Sequence, residues 1–418
     1  MFEFSDTHEV IESTLRKFCR EEIEPQCAAL ERGDVSPFEP LRKLSATFQL
    51  NELVGGPLRQ KVLRLREGKP GPRAKEAAAG LLGDPAVSAI FAKEVARVSP
   101  GLCLSLVANF GCGATIAARG DADLIERIAI PVLSLEKVGC WGLTEAGSGS
   151  DAFAMQTRVR EQGDEVVVSG SKTFISNAPI ADFFLIYARF EGAGEAAGGR
   201  DKRRIFPVVV ERGRAGLETG PPMEKFGMHA SPTGEIFLNE VRVPRSHLLG
   251  DPDAPARDHA EETLATERAA VVAMCLGVIE RCLDEATQFA IERKQFGHPI
   301  ASYQLIQQKL AKMLVARENV RNLVFKLIWI QQQGKGSEQE VSAAKWYASE
   351  TACEVALDAM QVMGGAGYMR EFPPERLFRD IRLWTVGGGT SEIQQLTIAK
   401  NHLRDHGFSI DLQGGHGE

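Results

Sequence analysis

A glycine-rich loop near the end of the chain has the residue types of a ligand-binding turn. The stretch WTVGGGTSEIQ, residues 384–394, runs three glycines into a threonine before an apolar segment. Glycine permits positive φ angles and lets the backbone approach a ligand closely, but it has no side chain that could act as an acid or base. If this loop belongs to an active site, the reacting side chain must lie elsewhere in the sequence.

The helical stretch EETLATERAAVVAM contains a glutamate at an unusual position. Leu264 precedes Glu267 by three residues, and Val271 and Met274 follow it by four and seven, so its carboxylate lies on the apolar face. A buried glutamate is unfavourable unless it is paired or functional. From the residues alone, Glu267 is either a structural ion pair, for example with an arginine across an interface, or a general base with a pKa raised by burial.

Three regions of different periodicity must position these residues. Helical spacing extends to about residue 131, strand-length runs such as DEVVVSG, DFFLIYARF, RIFPVVVERG and GEIFLNEVRVP fill residues 139–250, and helical spacing then returns. This order predicts an α+β fold in which a β-domain lies between helical domains. The predicted boundaries are 1–135 for the N-terminal domain, 136–250 for the middle domain, 251–405 for the C-terminal domain and 406–418 for a tail.

Composition narrows the class of protein. The 418 residues are 44% hydrophobic and 25% charged, as in soluble globular proteins, and the net charge of −7 argues against a nucleic-acid partner. The first residues lack the layout of a signal peptide, and no uninterrupted apolar run is long enough to cross a bilayer. Eight scattered cysteines without a CxxC pair predict reduced thiols and no metal site. We expect a soluble cytoplasmic protein.

A basic segment departs from this composition. Residues 58–77, LRQKVLRLREGKPGPRAKEA, carry seven lysines and arginines, and Glu67 is the first acid among them. A solvated helix and loop explains such a charge run, and a patch for an anionic ligand or partner is the alternative.

Four short motifs each have a structural explanation when taken separately. In GCWGLTEAGSGSD, residues 139–151, a small-residue loop could direct amides at a phosphate or form an ordinary turn. In SKTFISNAP, Phe174 and Ser176 share one side of a strand and could border a planar ring, or simply pack. Arg293, in RKQFG, could bind a pyrophosphate or interact with a helix dipole, and the glycines of QVMGGAG could simply end a helix.

Taken in order, these motifs resemble those of the acyl-CoA dehydrogenase family of flavoproteins, from about residue 139 to residue 402. The family's TEPGxGSD occurs as TEAGSGSD at residues 144–151, with Ala146 where proline is usual. RxxFG occurs at residues 293–297, QxxGGxG at residues 361–367, and EGTSxI as GGTSEI at residues 388–393. The N-terminal region fits less well, because the basic segment replaces an expected short loop.

The resemblance implies a fold and an activity. The implied fold has an N-terminal helical domain, a middle β-barrel-like domain and a C-terminal four-helix bundle, assembled as a homotetramer that is a dimer of dimers. The implied cofactor is FAD. The implied reaction is α,β-dehydrogenation of an acyl-CoA thioester to the trans-2-enoyl-CoA, in which a base takes the α-proton and flavin N5 accepts a hydride. Electron-transferring flavoprotein is the implied oxidant.

The resemblance also implies cofactor contacts. Those in the middle domain are Trp141, Leu143, Thr144, Gly149, Ser150, Phe174 and Ser176. Thr144 is the implied partner of the flavin N5 region, while Phe174 and Ser176 replace a usual tryptophan and threonine. The positions implied to clasp the cofactor from a neighbouring subunit are Arg293, Gln295, Tyr303, Gln304, Gln361, Gly364 and Gly365. Thr390 and Glu392 match positions at the adenosine and pyrophosphate end.

Substrate contacts are implied at Ser150, Arg268, Gly388 and Gly389. The developing enolate oxygen needs donors, and the backbone N–H of Gly388 is one of those implied. Many family members carry the base as a glutamate at the position of Gly388, whereas isovaleryl-type and long-chain-type members carry it on the helix before the arginine motif. The resemblance to these two types assigns the base to Glu267, and Glu392 is expected to cap the following helix.

Three other functions remain open from the sequence. An acyl-CoA oxidase-like or monooxygenase-like flavoenzyme would let oxygen reach the reduced flavin. A non-catalytic protein on the same scaffold would only bind FAD or an acyl thioester. An acyl-carrier-protein thioester could replace the CoA ester, with the basic segment 58–77 contacting that acidic partner. The length and branching of the acyl group are not predicted.

Overall fold

The computed structural model describes residues 3–69, 83–191, 205–250, 259–334 and 338–408, the side chains of residues 259–266 excepted. Contacts between residues divide the chain into two compact units, one ending at Glu267 and the other beginning at Arg268.

The first unit begins with short helices whose starts are specified locally. The bounds are α1 Asp6–Phe18, α2 Cys27–Arg32, α3 Phe38–Thr47, α4 Leu50–Arg66, α5 Pro85–Val98, α6 Pro100–Arg119, α7 Ala122–Leu124 and α8 Ile130–Leu133. Asp84 caps α5 by accepting from the N–H of Ala86, and Ser99 caps α6 by accepting from the N–H of Leu102. Each cap precedes a proline, which has no N–H to satisfy at the first helical position.

Helix α6 is the apolar centre of this helical region. Among the described residues it alone has the length and composition of a membrane-spanning helix, which the sequence analysis did not anticipate. Within its most apolar 18-residue window, 72% is buried inside the protein, as in a core helix. Its Asn109 donates from Nδ2 to the carbonyl of Val132 and accepts from the N–H of Gly139, which ties the helix to the first strand.

A seven-stranded mixed sheet follows the helices. The bounds are β1 Gly139–Gly142, β2 Arg158–Gln162, β3 Glu165–Ser176, β4 Phe183–Phe190, β5 Ile205–Glu211, β6 Leu217–Thr219 and β7 Thr233–Pro244. The order is β1-β4-β2-β3-β7-β6, and β5 pairs with β4. Strand β4 runs parallel to β1 and β2, and the other pairs are antiparallel. The strands predicted from the four apolar runs are confirmed as β3, β4, β5 and β7, whereas β1, β2 and β6 were missed.

The second unit is helical, and the division between the units falls inside helix α9. The helices are α9 His259–Glu292, α10 Gln304–Gln333, α11 Glu338–Met363, α12 Pro373–Ile381 and α13 Ser391–Asp405. A two-stranded hairpin, β8 Lys294–Gln295 and β9 His298–Pro299, separates α9 from α10. The α+β fold class, with a sheet between helical regions, is confirmed.

The basic segment is only partly described, because residues 70–82 lie outside the described residues. Its first half forms the end of α4, as the solvated-helix interpretation predicts. Lys61 is an exception, since its side chain is buried and its Nζ donates to the carbonyl of Ala117 at 2.6 Å. Arg66 pairs with Glu126 at 2.5 Å on the surface. Among the described residues, these charges therefore serve intramolecular contacts.

Glu94 in α5 gives the first unit a pH-dependent ion pair. Its buried carboxylate accepts from the Nε and a terminal nitrogen of Arg16, each at 2.9 Å, and Lys93 lies 2.9 Å away. Burial alone would raise the pKa of Glu94, but the Arg16 hydrogen bonds and the Lys93 charge outweigh it and lower the pKa. The stabilisation is therefore complete above the ordinary glutamate pKa and is lost as pH falls through the lowered value.

We predict that Glu94→Gln lowers the free energy of unfolding at pH 7 by about 2–3 kcal/mol, because two cations lose their buried partner. Urea titrations between pH 7 and pH 3 should show the wild-type and variant stabilities converging at low pH. The control is Glu165→Gln, which removes the exposed pair with Arg242 and should change stability by less than about 1 kcal/mol. A constant difference between wild type and Glu94→Gln at every pH would contradict this account.

Candidate functional site

The first unit gathers several predicted residues at the end of strand β1. Trp141 lies in β1, and Leu143 and Thr144 follow it directly. The N–H of Thr173 donates to the carbonyl of Thr144 at 3.0 Å, which brings the middle of β3 beside this strand end. Phe174 is the next residue of β3. Phe174 is therefore one residue along the chain from a residue that is hydrogen-bonded to Thr144.

Phe174 occupies a strained and exposed position. The pairing of β3 with β7 shifts register between Lys172 and Ile175, and Phe174 within this bulge has a φ of 60°. Its side chain is 67% exposed, unlike the buried aromatic expected from simple packing. A bulky residue at positive φ is uncommon, and such strain is concentrated at functional sites. Ser176 resumes the pairing opposite Thr233.

The loop after Thr144 forms a tight turn with an open outer side. Glu145 and Ser148 exchange backbone hydrogen bonds of 3.1 and 3.0 Å, and the hydroxyl of Ser148 donates to the carbonyl of Asp151 at 2.6 Å. A methyl group at Gly149 would meet no atom within 4 Å. Gly149 and Ser150 are exposed, so this part of the loop is accessible to a ligand.

In the second unit, three side chains fix the glycine-rich loop. Gly388 and Gly389 have φ of 64° and 89°, which confirms that this turn needs glycine. Arg268 donates from Nε to the carbonyl of Gly388 at 3.1 Å, and Lys345 donates from Nζ to the carbonyl of Gly389 at 2.7 Å. Gln394 donates from Nε2 to both carbonyls, at 3.3 and 3.1 Å. Both carbonyl groups are thereby held in one orientation.

Gln394 also leaves an acceptor beside this loop. Its side chain is completely buried, and among the described residues Oε1 has no hydrogen-bond partner. Because Nε2 donates to two carbonyls, a flip of the amide would place oxygen against oxygen. An unsatisfied buried acceptor is unfavourable, and a ligand that brings a hydroxyl or N–H would satisfy it.

Helix α9 places Glu267 immediately before the arginine that contacts the loop. Glu267 is half-buried, whereas Val271 and Met274, one and two turns further on the same face, are fully buried. The side chain of Leu264 lies outside the described residues. Arg268 is buried and also lies 3.7 Å from the carboxylate of Glu338. The predicted grouping of Arg268 with Gly388 is therefore present, and Glu267 adjoins it along the chain.

The hairpin after α9 carries the predicted arginine motif on the surface. Arg293, Gln295 and Gln304 are exposed. The Tyr303 hydroxyl donates to the carbonyl of Gln295 at 2.7 Å, and the ring of Tyr303 meets Phe296 edge-on at 6.3 Å. Phe296 at the tip has a φ of 50° and is 92% exposed.

The remaining predicted residues lie at helix ends. Gln361, Gly364 and Gly365 are exposed at the end of α11, where Gly364 has a φ of 58°. Thr390 caps α13 by accepting from the N–H of Ile393 at 3.2 Å. Glu392 is exposed in the first turn of α13, and hydrogen bonds from its own backbone N–H and from Thr390 lower its pKa. Capping of this helix, expected of Glu392, is therefore done by Thr390.

The sequence analysis missed two buried lysines. Lys345 lies on the face of α11 that carries Ala348 and Ala352, so its helical spacing was a readable signal. Lys172 lies within the SKTFISNAP motif, and its side chain is fully enclosed. A lysine at a core-facing position is rare unless it has a partner.

Comparison with known proteins identifies the family. The model of the acyl-CoA dehydrogenase middle domain matches residues 140–241, and that of the acyl-CoA dehydrogenase C-terminal domain matches residues 258–403. The benzylmalonyl-CoA dehydrogenase of Aromatoleum aromaticum is 34% identical over 404 residues, covering 96% of this chain and 98% of its own. The 3-(aryl)acrylate reductase of Clostridium sporogenes is 32% identical over 96% of this chain and 100% of its own.

A solved structure agrees with these relatives. Butyryl-CoA dehydrogenase from Megasphaera elsdenii matches with a TM-score of 0.81 and 28% identity, covering 97% of this chain and 100% of the other. The chain belongs to the acyl-CoA dehydrogenase family. The predicted enzyme class and its FAD cofactor follow from that membership.

The residues at the end of β1 fit this cofactor. A planar isoalloxazine ring needs an apolar surface with polar groups at its edge, which the exposed Phe174 and the half-exposed Thr144 provide. The open side of the loop at Gly149 suits a bulky ligand.

The geometry of the glycine-rich loop predicts how substitution of its glycines changes the free energy of unfolding. A methyl group at Gly389 would lie 2.5 Å from Nε2 of Gln394 and would have to adopt a φ of 89°, so Gly389→Ala should lower the free energy of unfolding by about 2 kcal/mol. The matched control is Gly387→Ala, where the nearest atom lies at 3.5 Å and the loss should be below about 1 kcal/mol. Equal urea midpoints for the two variants would show that Gln394 does not constrain the loop.

Proposed function

We propose that this protein oxidises an acyl-CoA thioester to the trans-2-enoyl-CoA, with FAD as hydride acceptor and Glu267 as the base that removes the α-proton. The observation that carries the assignment is the hydrogen bond of 3.1 Å from Arg268 to the carbonyl of Gly388. Gly388 stands where many relatives carry the base, and Arg268 directly follows Glu267. Glu267 is therefore next along the chain to Arg268, and Arg268 contacts the loop that has a glycine in place of the glutamate.

The surroundings of Glu267 suit a general base. The carboxylate is half-buried on a face that continues with the fully buried Val271 and Met274. A partly buried position on an apolar face lets a carboxylate meet the carbon chain of a substrate while it stays within reach of the α-proton. The guanidinium of Arg268 donates to the carbonyl of Gly388 and also lies near the carboxylate of Glu338.

The glycine-rich loop is proposed to supply the hydrogen-bond donor to the thioester oxygen. Arg268, Lys345 and Gln394 hold the carbonyls of Gly388 and Gly389, which fixes the two peptide groups that directly follow the Gly388 N–H along the chain. We assign the Gly388 N–H as a donor to the thioester oxygen, where negative charge develops as the α-proton leaves. Preorganised donors of this kind need no reorientation during the reaction. We also assign Arg268, Gly389 and Ser150 as substrate contacts.

FAD, when bound, supplies the two-electron acceptor for the β-hydride. We assign its flavin contacts to the first-unit residues Trp141, Leu143, Thr144, Gly149, Ser150, Phe174 and Ser176. The exposed Phe174 at its strained bulge supports an apolar cover for the ring, and Thr144 beside it supports a polar contact. We assign Thr390 and Glu392 to the adenosine and pyrophosphate end.

A neighbouring subunit completes the proposed cofactor site. We assign Arg293, Gln295, Tyr303, Gln304, Gln361, Gly364 and Gly365 to contacts with a neighbour's FAD in a homotetramer. The hairpin supports this by position, because its tip residue Phe296 is 92% exposed and directly follows Gln295. The proposed oxidant is electron-transferring flavoprotein, and the proposed location is the cytoplasm.

The acyl group is proposed to be bulky beside the reacting carbons. Gly388 has no side chain where relatives place a glutamate, which leaves room for a branch or ring. Two of the relatives are named for aryl-bearing substrates, an arylacrylate and a benzylmalonyl thioester. A panel of straight, branched and phenyl-bearing acyl-CoAs therefore covers the proposed substrates.

The first experiment is anaerobic bleaching of bound flavin by this panel. Glu267→Gln should retain fold and FAD but bleach more slowly by about three orders of magnitude or more, because an amide cannot accept the α-proton. The control is Glu285→Gln on the same helix, where the glutamate pairs with Arg281 at 2.7 Å and bleaching should match wild type.

The possible results separate the assignments. Wild-type bleaching with equally fast bleaching in Glu267→Gln would make Glu267 structural and require another base. Wild-type bleaching by no thioester would overturn the dehydrogenase proposal. Rapid reoxidation of the bleached wild type by oxygen would favour an oxidase, and bleaching only by acyl-carrier-protein thioesters would exclude a CoA substrate.

Assembly can be tested at the hairpin tip. Phe296→Ala should shift sedimentation from tetramer towards smaller species and weaken FAD retention, since a covered aromatic ring typically contributes about 2 kcal/mol or more to an interface. Phe408→Ala is the control, because Phe408 is also exposed but lies outside the hairpin. A wild type that sediments as a monomer with full FAD content would contradict the shared cofactor site.

A further inference from the structure

Lys172 is a buried cation whose contacts all lie around the predicted flavin site. It belongs to strand β3, and its side chain is fully enclosed. Its Nζ donates to the carbonyl of Leu143 at 2.9 Å and to Oε1 of Glu145 at 2.8 Å, and it lies 3.8 Å from the sulfur of Met155. These three partners belong to the segment that follows β1, so one ammonium group connects β3 with that segment.

Glu145 extends this connection to the far end of the loop. Its carboxylate accepts from the N–H of Gln156 at 2.6 Å and from the N–H of Thr157 at 2.9 Å. Burial lowers the pKa of Lys172 to about 8, although Glu145 opposes this effect. Burial likewise opposes the charge of Glu145, but Lys172 and the two amides outweigh it and lower the pKa of the carboxyl. The pair is therefore charged at neutral pH.

The consequence falls on Thr144, which lies between the two anchored residues. Lys172 holds the carbonyl of Leu143, and the N–H of Thr173 holds the carbonyl of Thr144 at 3.0 Å. In a trans peptide the N–H points opposite to the carbonyl oxygen, so the Thr144 N–H is directed away from Lys172. Both peptide groups that flank Thr144 are thereby fixed against β3, and so is the direction of its side chain.

The fold makes room for this arrangement. A methyl group at Gly142 would lie 3.1 Å from Cγ of Lys172, so the glycine of β1 leaves space for the lysine stem. An apolar pair of similar volume would fill the same space without the desolvation of two charges, and such replacements are often neutral or stabilising. Packing alone therefore does not require a charged pair here.

We propose that Lys172 is a positioning residue for the flavin: its ammonium group, neutralised by Glu145, orients the Leu143–Thr144 peptide so that Thr144 presents its polar groups to the cofactor. The ammonium also polarises this peptide, which strengthens the Thr144 N–H as a donor. This inference rests on the proposed FAD site in the first unit. It adds a residue that the flavin does not touch.

The test separates positioning from fold stability. Lys172→Met and Glu145→Gln each leave a buried charge without its partner and should lower the urea midpoint of the apoprotein. The double variant Lys172→Met/Glu145→Gln removes both charges and should regain most of that stability. Lys137→Met is the control, because Lys137 lies on the surface near Asp182 and does not contact the loop after β1 in any described contact. FAD affinity is measured by titrating each apoprotein and following flavin fluorescence.

We expect the double variant to bind FAD at least about tenfold more weakly than wild type at near-equal stability, with a more negative midpoint potential of the bound flavin. The control should match wild type in both. A double variant with wild-type affinity and potential would show that the pair is structural and would overturn the proposal. If wild type itself binds no FAD, the cofactor assignment fails, which is a different result.

A second variant keeps the test decisive if the double variant does not fold. Gly142→Ala retains both charges but crowds the lysine stem, so it should weaken FAD binding while leaving the carboxylate of Glu145 paired. Unchanged FAD affinity in Gly142→Ala, with a folded protein, would equally count against positioning by Lys172.

Discussion

The loop after β1 and the glycine-rich loop both depend on buried cations that hold backbone carbonyls. Lys172 binds the carbonyl of Leu143 in the first unit, and Lys345 binds that of Gly389 in the second. A loop near a ligand has backbone groups that neither a helix nor a sheet satisfies, and leaving them unpaired in a dry site is unfavourable. A charged donor forms a stronger hydrogen bond than a neutral one and fixes the direction of the peptide. The loops thus obtain rigidity without regular secondary structure.

Regular elements set the positions of these cations. Strand β3 pairs with β7 at Lys172, which lies opposite Ile236, and the N–H of the next residue, Thr173, donates to Thr144, so the backbone of Lys172 has little freedom. Lys345 projects from the long helix α11, and Arg268 from α9. The sheet and the helices therefore act as fixed supports, while the loops supply the groups that face the ligand. This division matches the general placement of binding groups on loops carried by a rigid scaffold.

Sequence patterns predicted the parts of the fold that have strong periodicity. The apolar runs gave β3, β4, β5 and β7, because their alternation or continuous burial leaves a clear signal. Strand β2, RVREQ, was missed since only Val159 in it is fully buried. The exposed bulge at Phe174 was also unpredictable, because positive φ favours glycine and asparagine.

The candidate site was predicted unevenly for a related reason. The resemblance implied both Arg268 and the loop glycines as substrate contacts, and the structure brings Arg268 into contact with Gly388. Lys172 and Lys345 were missed because a lysine is usually assigned to solvent, and only its spacing on an apolar face indicates otherwise. Glu267 was assigned from the resemblance, and the test of its spacing on an apolar face supported the assignment. Applying the same test to every charged residue would have found Lys345 from the sequence, although not its carbonyl partner.

A loop that carries the catalytic glutamate must both bind the acyl group and hold the base. Placing the base on α9 gives these two tasks to different elements. In the proposed assignment, the loop at Gly388 only binds, while Glu267 belongs to a 34-residue helix whose backbone hydrogen bonds lie within the helix itself. Mutations that reshape the loop for a different acyl group can then accumulate without displacing the reacting carboxylate. The same independence lets the two elements evolve at different rates, so a lineage with this arrangement can change its substrate range in few steps and keep its chemistry throughout.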